Sequence, residues 1–359
     1  MKTLSIIISN LEIGGAQQLI TNLSPYLSRH FNLQVIVFKK TGSEFEKNIE
    51  NLGIKIISLN IGSYSPLAIL KLRKIIKKTD LVHINLFPAN YYSVLANIGI
   101  NKPLVFTEHS THNRRRNYKI LKPVERFIYK RFKKIISISE ATKTNLNKWL
   151  NSESIKKRNI VIENGIDIDK FNSVAGRPSK EIFGRDGIPV LMISRFTESK
   201  DHETVVKALK EIQDPRVFGV FVGDGTTQQN IIDLVKSLGL EDRVIFLGNR
   251  TDIPEIIKSA KIGIQSSHWE GFGLTVIEMM AGGLPVLASD VIGLGTVVKD
   301  AGILFEQGNY KILAQNIMEI LNNPEKYSSL RSNGYQRVKR YSIKKTAENY
   351  KNILENLKI

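Results

Sequence analysis

Short runs of aliphatic and β-branched residues alternate along the chain with longer stretches in which apolar positions recur at helical spacing. In the first half the order is Leu4–Ser9, a helix near Ala16–Arg29, Gln34–Phe38, a helix near Glu44–Asn51, Ile54–Leu59, a helix near Ser65–Lys77 and Leu81–Ile84. The second half restarts with Val190–Ser194, a helix near His202–Glu211, Val217–Gly223, a helix near Gln228–Leu238, Val244–Leu247, a helix near Ile253–Ser259, Ile262–Gln265 and Val286–Ala288. Strand and helix taking turns implies βαβ units wound around a parallel sheet. Two such series predict an α/β chain of two doubly wound, Rossmann-like domains. Its length of 359 residues agrees, since one compact domain usually has roughly 100–200.

The boundary is placed after Val161-Ile162-Glu163-Asn164-Gly165, a strand ending in a turn, because polar, irregular sequence follows through Asn172–Gly187. Residues 1–165 and 166–325 then form the two domains. The terminal segment Pro324–Lys358 reads as two helices broken near Tyr341-Ser342, and residues 326–359 are expected to cross back onto the first domain.

Charge separates the halves. Residues 1–165 hold 27 Lys and Arg against 10 Asp and Glu, whereas the remainder holds 25 against 24. An excess confined to one half points to a polyanion facing that half, either nucleic acid or an anionic membrane surface. Much of it lies between Asn113 and Lys134, where ten cations (Arg114, Arg115, Arg116, Lys119, Lys122, Arg126, Lys130, Arg131, Lys133 and Lys134) accompany one acid, Glu125. Ile120, Val124, Phe127, Ile128 and Phe132 recur there at helical spacing. The segment is therefore expected to be an amphipathic basic helix whose apolar stripe docks on its own domain. The chain has no cysteine, which excludes disulfides and thiolate metal sites and is compatible with a reducing compartment. Leu4–Ile8 is too short for a signal-peptide core, and no run of about 20 apolar residues is present to span a bilayer. Any membrane contact is expected to be peripheral.

Candidate chemistry gathers at the predicted strand ends. In Glu270-Gly271-Phe272-Gly273-Leu274-Thr275-Val276-Ile277-Glu278, two glycines precede a helical stretch, so free backbone N–H groups and the positive end of the helix dipole would face whatever occupies the loop. A diphosphate suits that place, with Glu278 reaching ribose hydroxyls and Glu270 sugar hydroxyls. Taken alone, the segment reads better as an ordinary strand–turn–helix connection with solvated glutamates. Ser194-Arg195-Phe196-Thr197-Glu198-Ser199-Lys200 sets two cations after a strand, the kind of anion site that phosphates require. Gly14-Gly15-Ala16-Gln17 and Val222-Gly223-Asp224-Gly225 also follow strands, and neither completes the G-x-G-x-x-G of a dinucleotide fold. Thr107-Glu108-His109-Ser110 closes another strand, with His112 nearby. A lone histidine in such a place is most often structural. Asp167-Ile168-Asp169 satisfies a bare D-x-D pattern, and Phe246-Leu247-Gly248-Asn249-Arg250 ends a strand.

In combination and in this order, these segments resemble family 4 of the GT-B glycosyltransferases, over nearly the whole chain. The resemblance implies a GT-B fold, two Rossmann-like domains facing a central cleft, and a retaining transfer of sugar from a nucleotide diphosphate donor. It implies that His109 orients the transferred sugar, that Arg195 and Lys200 hold the diphosphate, and that Glu270 meets the sugar. Gly14, Gly15, Gly223, Arg250, Gly271, Phe272, Gly273, Leu274, Thr275 and Glu278 would line the donor, and Ala16 and Gln17 the acceptor side. Asn164-Gly165-Ile166-Asp167 resembles the family's interdomain linker. Because Asp167 and Asp169 fall there and Arg195 and Lys200 supply positive charge, neither a metal nor another cofactor is expected. No side chain stands out as a nucleophile, so attack on the face of departure is implied, the leaving phosphate drawing the acceptor proton. UDP is favoured as the commoner family donor. The expected acceptor is a lipid-linked or polysaccharide-precursor glycan, handled by a cytoplasmic enzyme held on the inner membrane face by its cations. A nucleotide-sugar epimerase of the same fold and a nucleic-acid-binding protein are the alternatives. The nearly neutral second half and the lack of a nucleic-acid module speak against the latter.

Overall fold

The computed structural model describes residues 1–12, 14–111 and 113–357, the side chain of Arg114 apart, so His112 lies outside the described residues. Two units emerge, one made of Met1–Gly165 with Ile343–Ile359, the other of Ile166–Ser342.

In the first unit, β1 (Thr3–Ile8), β2 (Asn32–Val37), β3 (Lys55–Ser58), β4 (Leu81–Asn85), β5 (Leu104–Glu108), β6 (Lys134–Ser137) and β7 (Asn159–Val161) form one sheet in the order β3-β2-β1-β4-β5-β6-β7. Every pairing is parallel. β4 and β5 are buried along their whole length, as strands covered by helices on both faces must be. The helices Gly15–Leu27 and Ile343–Glu355 share one core with β1, in which Leu19, Ile20 and Leu23 join Ala347, Tyr350 and Leu354. A second core gathers Leu72 and Ile76 of helix Leu67–Lys77, Val94 of Ala89–Asn97, Ile128 of Lys122–Tyr129 and Leu146 of Glu140–Leu150. Local chemistry sets the helix ends: the Ser139 hydroxyl accepts from the Thr142 amide, and Asn151 closes the same helix in the left-handed conformation.

The second unit has β8 (Ile188–Ile193), β9 (Val217–Val222), β10 (Val244–Phe246), β11 (Ile262–Gln265), β12 (Val286–Ser289) and β13 (Ile303–Phe305), in the order β10-β9-β8-β11-β12-β13. The strand order reverses between β8 and β11, the switch point at whose carboxyl edge sheets of this kind bind their ligands.

Two expectations are corrected. Of the terminal segment 326–359, only Ile343–Glu355 joins the first unit, while helix Pro324–Val338 stays with the second. The physical reason is the apolar stripe. Ile343, Ala347, Tyr350 and Leu354 repeat at helical spacing and are all buried, whereas Pro324–Val338 buries only Gly334 and Val338. The chain passes between the units after Gly165 and again after Ser342, and within the second unit Ile166 pairs with Ser342 and its amide donates to the Tyr341 carbonyl at 2.9 Å. Beside it Gly165 packs so close to the last helix that a Cβ would lie 2.5 Å from Thr346 Oγ1 and 2.8 Å from Ile343 Cα.

The basic stretch is also not one helix. Residues Arg114–Asn117 and Lys119–Leu121 form 3-10 turns and the α-helix covers only Lys122–Tyr129, started by Pro123 in its first turn. The inward face is Glu125, Ile128 and Tyr129, continued by Phe132, while Ile120, Val124 and Phe127 are exposed. The expected stripe is split because the buried acid takes the inner position between the apolar residues. Among the described residues no helix is long and apolar enough to cross a membrane.

Candidate active site

At the carboxyl edge of the second unit the loops after β8 and β11 are joined to each other. Lys200 and Ser267 form an isolated bridge, the Asp201 amide donates to the Ser266 carbonyl at 3.1 Å, and that of His268 to Ser199 at 2.9 Å. These bonds seat the Lys200 ammonium in an ion pair with Glu270, and Nζ also reaches Ser267 Oγ at 3.4 Å. From Ser267 the polar chain continues: Gln265 Nε2 donates to Ser267 Oγ at 3.0 Å and Thr275 Oγ1 donates to Gln265 Oε1 at 2.8 Å. Lys200, Glu270 and the first turn of helix Leu274–Ala281 are thus one connected cluster.

That helix begins at Gly273, whose φ of 88° lies in the left-handed region, and a Cβ there would sit 2.6 Å from Leu294 Cδ2. The left-handed backbone favours glycine there, and any Cβ would also have to displace the Leu294 side chain. Phe272 is buried with its ring edge-on to Tyr341 at 5.5 Å. It anchors the loop and offers a ligand only main chain, as does Gly271, whose amide donates to Glu270 Oε1 at 3.0 Å. Leu274 is half-buried and Glu278, one turn further on, is buried. Arg195 stands exposed just past β8, with no partner among the described residues. Its loop is pinned by Phe196, which stacks on His202 at 4.0 Å, and by the Ser194 hydroxyl, 3.0 Å from His202 Nε2. Burial pushes the His202 pKa down to about 4, so its ring is neutral near pH 7.

Gly223 has a different reason from ligand access. A Cβ there would meet the Ser194 carbonyl oxygen at 2.2 Å, so the glycine lets the β9 loop lie against the β8 loop. Arg250 spends its guanidinium on Asp252, at 2.8 and 2.5 Å, which leaves the main chain of that turn. Asp167 caps a short helix by accepting from the Asp169 amide at 3.2 Å.

In the first unit His109 follows β5, and its Nε2 lies 2.9 Å from Asn85 Oδ1 at the end of β4. Burial, helped by the nearby His83, pushes the His109 pKa down to about 3. The ring is therefore neutral, with Nε2–H donating to Asn85 and Nδ1 left as an acceptor. At the end of β1, Gly14 and Gly15 open the first helix, Ala16 is buried, and Gln17 Nε2 donates to Asn10 Oδ1 at 3.3 Å.

The two halves each match a family model, residues 13–170 that of Glycosyltransferase Family 4 and residues 178–337 that of Glycosyl transferases group 1. The chain belongs to family 4 of the GT-B glycosyltransferases. Over 97% of its length and 98% of the relative's it is 25% identical to a Campylobacter jejuni N-acetylgalactosamine-N,N'-diacetylbacillosaminyl-diphospho-undecaprenol 4-alpha-N-acetylgalactosaminyltransferase. Over 41% of each chain it is 31% identical to the Escherichia coli UDP-Gal:alpha-D-GlcNAc-diphosphoundecaprenol alpha-1,3-galactosyltransferase. Among solved structures, Anabaena Alr3699/HepE in complex with UDP and glucose matches with a TM-score of 0.88 at 22% identity, covering 99% of this chain and 100% of that one.

In this glycosyltransferase the basic stretch is partly structural, which corrects three expected polyanion contacts. Arg116 pairs with the buried Glu108 at 2.7 Å; burial alone would lower its pKa, but that carboxylate leaves it raised. Arg115 pairs with Glu125 at 3.3 Å and lies 3.9 Å over the Phe87 ring. Arg126 Nε donates to the Leu150 carbonyl at 2.5 Å, closing that helix. Arg115 and Arg116 face inward because Glu125 and Glu108 are buried acids that need them. Lys119, Lys130, Arg131 and Lys133 are exposed, Lys122 and Lys134 half-buried, and the Arg114 side chain lies outside the described residues. Sequence reasoning missed Asn85, Gln265 and Ser267. Their only signal is a polar residue closing an apolar strand.

Proposed function

We propose that this glycosyltransferase moves a sugar from a uridine diphosphate sugar to a hydroxyl of a lipid-linked or polysaccharide-precursor glycan, with retention at the anomeric carbon and without a metal ion, at the cytoplasmic face of the membrane. The observation that carries the reading is the cluster joining Lys200, Glu270 and the glycine start of helix Leu274–Ala281, beside Arg195, which has no partner among the described residues. It combines cations with free helix-start amides where the strand order reverses, and such a site favours a diphosphate. The E. coli relative's name specifies UDP-Gal, and both it and the Campylobacter relative act on diphospho-undecaprenol-linked sugars by name.

In the proposed reaction the bond from the anomeric carbon to the phosphate oxygen breaks, its electron pair staying on the diphosphate. Arg195, Lys200 and the amides near Gly273 and Thr275 stabilise that charge, a preorganised contribution worth roughly 3 kcal/mol per donor in comparable sites. The acceptor hydroxyl attacks the same face and its proton passes to the leaving phosphate oxygen. In the second unit Glu270 holds sugar hydroxyls and Glu278 the ribose, and in the first unit the neutral His109 offers Nδ1 as an acceptor. The two cations take the place of a metal.

A thermal-shift panel of nucleotide sugars tests this. At 100 times its dissociation constant the donor adds about 2.7 kcal/mol of stability. UDP-sugars are expected to raise the midpoint, and Arg195→Ala and Glu278→Ala to abolish the rise while folding normally. A flat panel, or variants that respond like wild type, overturns the reading.

A further inference from the structure

One face of the first sheet changes character toward its carboxyl edge. Leu81 of β4 and Val105 of β5 belong to the core shared with helices Gly15–Leu27 and Ile343–Glu355. Residues two apart on a strand share a face, so His83, Asn85 and Thr107 continue these two files, and all three are fully buried. Most of them join a polar path. Tyr350 of the last helix lies 3.2 Å from Thr107 Oγ1, which lies 2.8 Å from His83 Nε2. Asn85 stands outside that path, its Oδ1 meeting His109 Nε2 at 2.9 Å instead.

Stability alone does not account for Asn85. Its Nδ2 is buried without a hydrogen-bond partner, and an unmet buried donor costs stability that an apolar residue in the same file would keep. What the amide gains is one contact with His109, whose ring is half-buried while Asn85 has no exposed surface. Asn85 can therefore reach a substrate only through His109. The choice of an amide over a carboxylate sets the chemistry. A neutral Oδ1 accepts the Nε2 proton, which keeps the lone pair on Nδ1, and it adds no charge that would favour the imidazolium.

The surroundings add none either. The titratable group that acts on the His109 ring is His83, and burial keeps the His83 pKa down at about 3. The last helix turns Tyr350 to His83, at 5.4 Å between rings, and burial pushes that phenol's pKa up. Glu108, the neighbour in sequence, is held by Arg116 and Tyr129 at 2.7 and 2.6 Å. Helix Gly15–Leu27 carries no acid, lysine, arginine or histidine, and Glu12, in the loop before it, is exposed.

We infer that Asn85 is the positioning residue for His109, its amide oxygen locking the neutral ring in the Nε2–H tautomer so that Nδ1 is a standing acceptor for a sugar hydroxyl. This role rests on the reading above for the substrate group that His109 meets, whereas the tautomer itself needs no ligand. Because the departing diphosphate keeps the electron pair, positive charge develops on the sugar. An imidazolium at its hydroxyls would oppose that charge, and a neutral acceptor does not.

Nitrogen NMR of the imidazole rings in the full chain tests this without substrate, with His109→Gln identifying the His109 signals among the six histidines. Wild type is expected to carry its proton on Nε2. Asn85→Leu keeps the branched skeleton without the acceptor and should mix the two tautomers. Asn85→Asp should move the ring's ionisation up by at least about one pH unit, since a carboxylate favours the charged form. Turnover is read with the UDP-sugar that raises the melting midpoint most, water serving as acceptor. Asn85→Leu should lose about 10- to 100-fold in kcat while its affinity for UDP, which has no sugar, stays at the wild-type value. In Asn85→Asp, kcat should fall with decreasing pH as the ring protonates, where wild type stays flat. A wild-type ring with its proton on Nδ1 overturns the inference. So does an Asn85→Leu variant that keeps wild-type kcat or loses UDP affinity in step with it, or an Asn85→Asp ring that titrates like wild type. Should no UDP-sugar respond, the donor reading fails and the tautomer measurement still decides the role of Asn85.

Discussion

Replacing Lys200 by alanine removes a cation from the proposed diphosphate site and also leaves the Glu270 carboxylate, its ion-pair partner, facing the phosphates. The lost charge-assisted hydrogen bond is worth about 1.5–3 kcal/mol. A carboxylate about 5 Å from a phosphate repels it by about 3 kcal/mol at an effective dielectric near 20. Both partners keep some solvent, at 15% and 19% exposure, so screening reduces the repulsion to about 1–2 kcal/mol. Lys200→Ala should therefore weaken UDP binding by about 100-fold or more. Adding Glu270→Gln to that variant removes the repulsion and should recover about 5- to 30-fold of the loss. UDP is the ligand to titrate by calorimetry because it has no sugar, so any contact of Glu270 with sugar hydroxyls is absent from the comparison. With a UDP-sugar the Glu270→Gln change alone should weaken binding, which separates the two roles. The reasoning is refuted if Lys200→Ala binds UDP like wild type, or if the double variant binds it no better than Lys200→Ala.

Arg116→Met should cost about 3–5 kcal/mol in chemical denaturation, because it strands the buried Glu108 without its cation. A loss within experimental error would return Arg116 to the surface. Buried His83 and His202 have pKa values lowered to about 3 and about 4 from 6.5. The unfolded chain therefore takes protons that the fold refuses, and stability is full above about pH 6.5 and falls as pH drops toward 4. The slope is about 1.4 kcal/mol per pH unit for each ring; His202→Gln should flatten a plot of unfolding free energy against pH, and an unaltered slope counts against the burial argument. Gly165→Ala puts a Cβ against Thr346 and Ile343 and should lower the melting midpoint by several degrees, equivalent to about 1–3 kcal/mol. An unchanged midpoint would mean that the last helix shifts freely.

The strands and their helices were legible because a parallel sheet leaves its strands no polar face, and a run such as Leu4–Ile8 has few other places to go. The last helix was legible for the same reason, with Ile343, Ala347, Tyr350 and Leu354 at helical spacing. Its neighbour Pro324–Val338 was misplaced because nothing in a weakly apolar helix says which unit it joins. The basic segment misled more instructively. Periodicity counts apolar residues, and there the inner face is set by an acid: Glu125 accepts from Trp149 at 2.6 Å, Tyr91 at 3.1 Å and Arg115 at 3.3 Å. Trp149 and Tyr91 lie outside the segment and Arg115 reaches back from ten residues upstream, so no helical periodicity reveals that the acid turns inward and sends Val124 and Phe127 out.

The donor loops divide in the same way. A glycine turn before a helix reads directly, since the requirement for a left-handed residue at Gly273 is local and glycine meets it with least strain. What holds Lys200 against that turn does not read, because Ser267, Gln265 and Thr275 form a hydrogen-bonded path only once β8 and β11 have paired. Gly223 shows the limit from the other side. Its residue type was right for a loop beside a nucleotide, yet the close approach it permits is to the Ser194 carbonyl of its own unit. A motif can thus be present for the packing of the loops that bear the chemistry. Substitutions at Gly223 should therefore act on donor binding through the position of Arg195, one residue beyond that carbonyl.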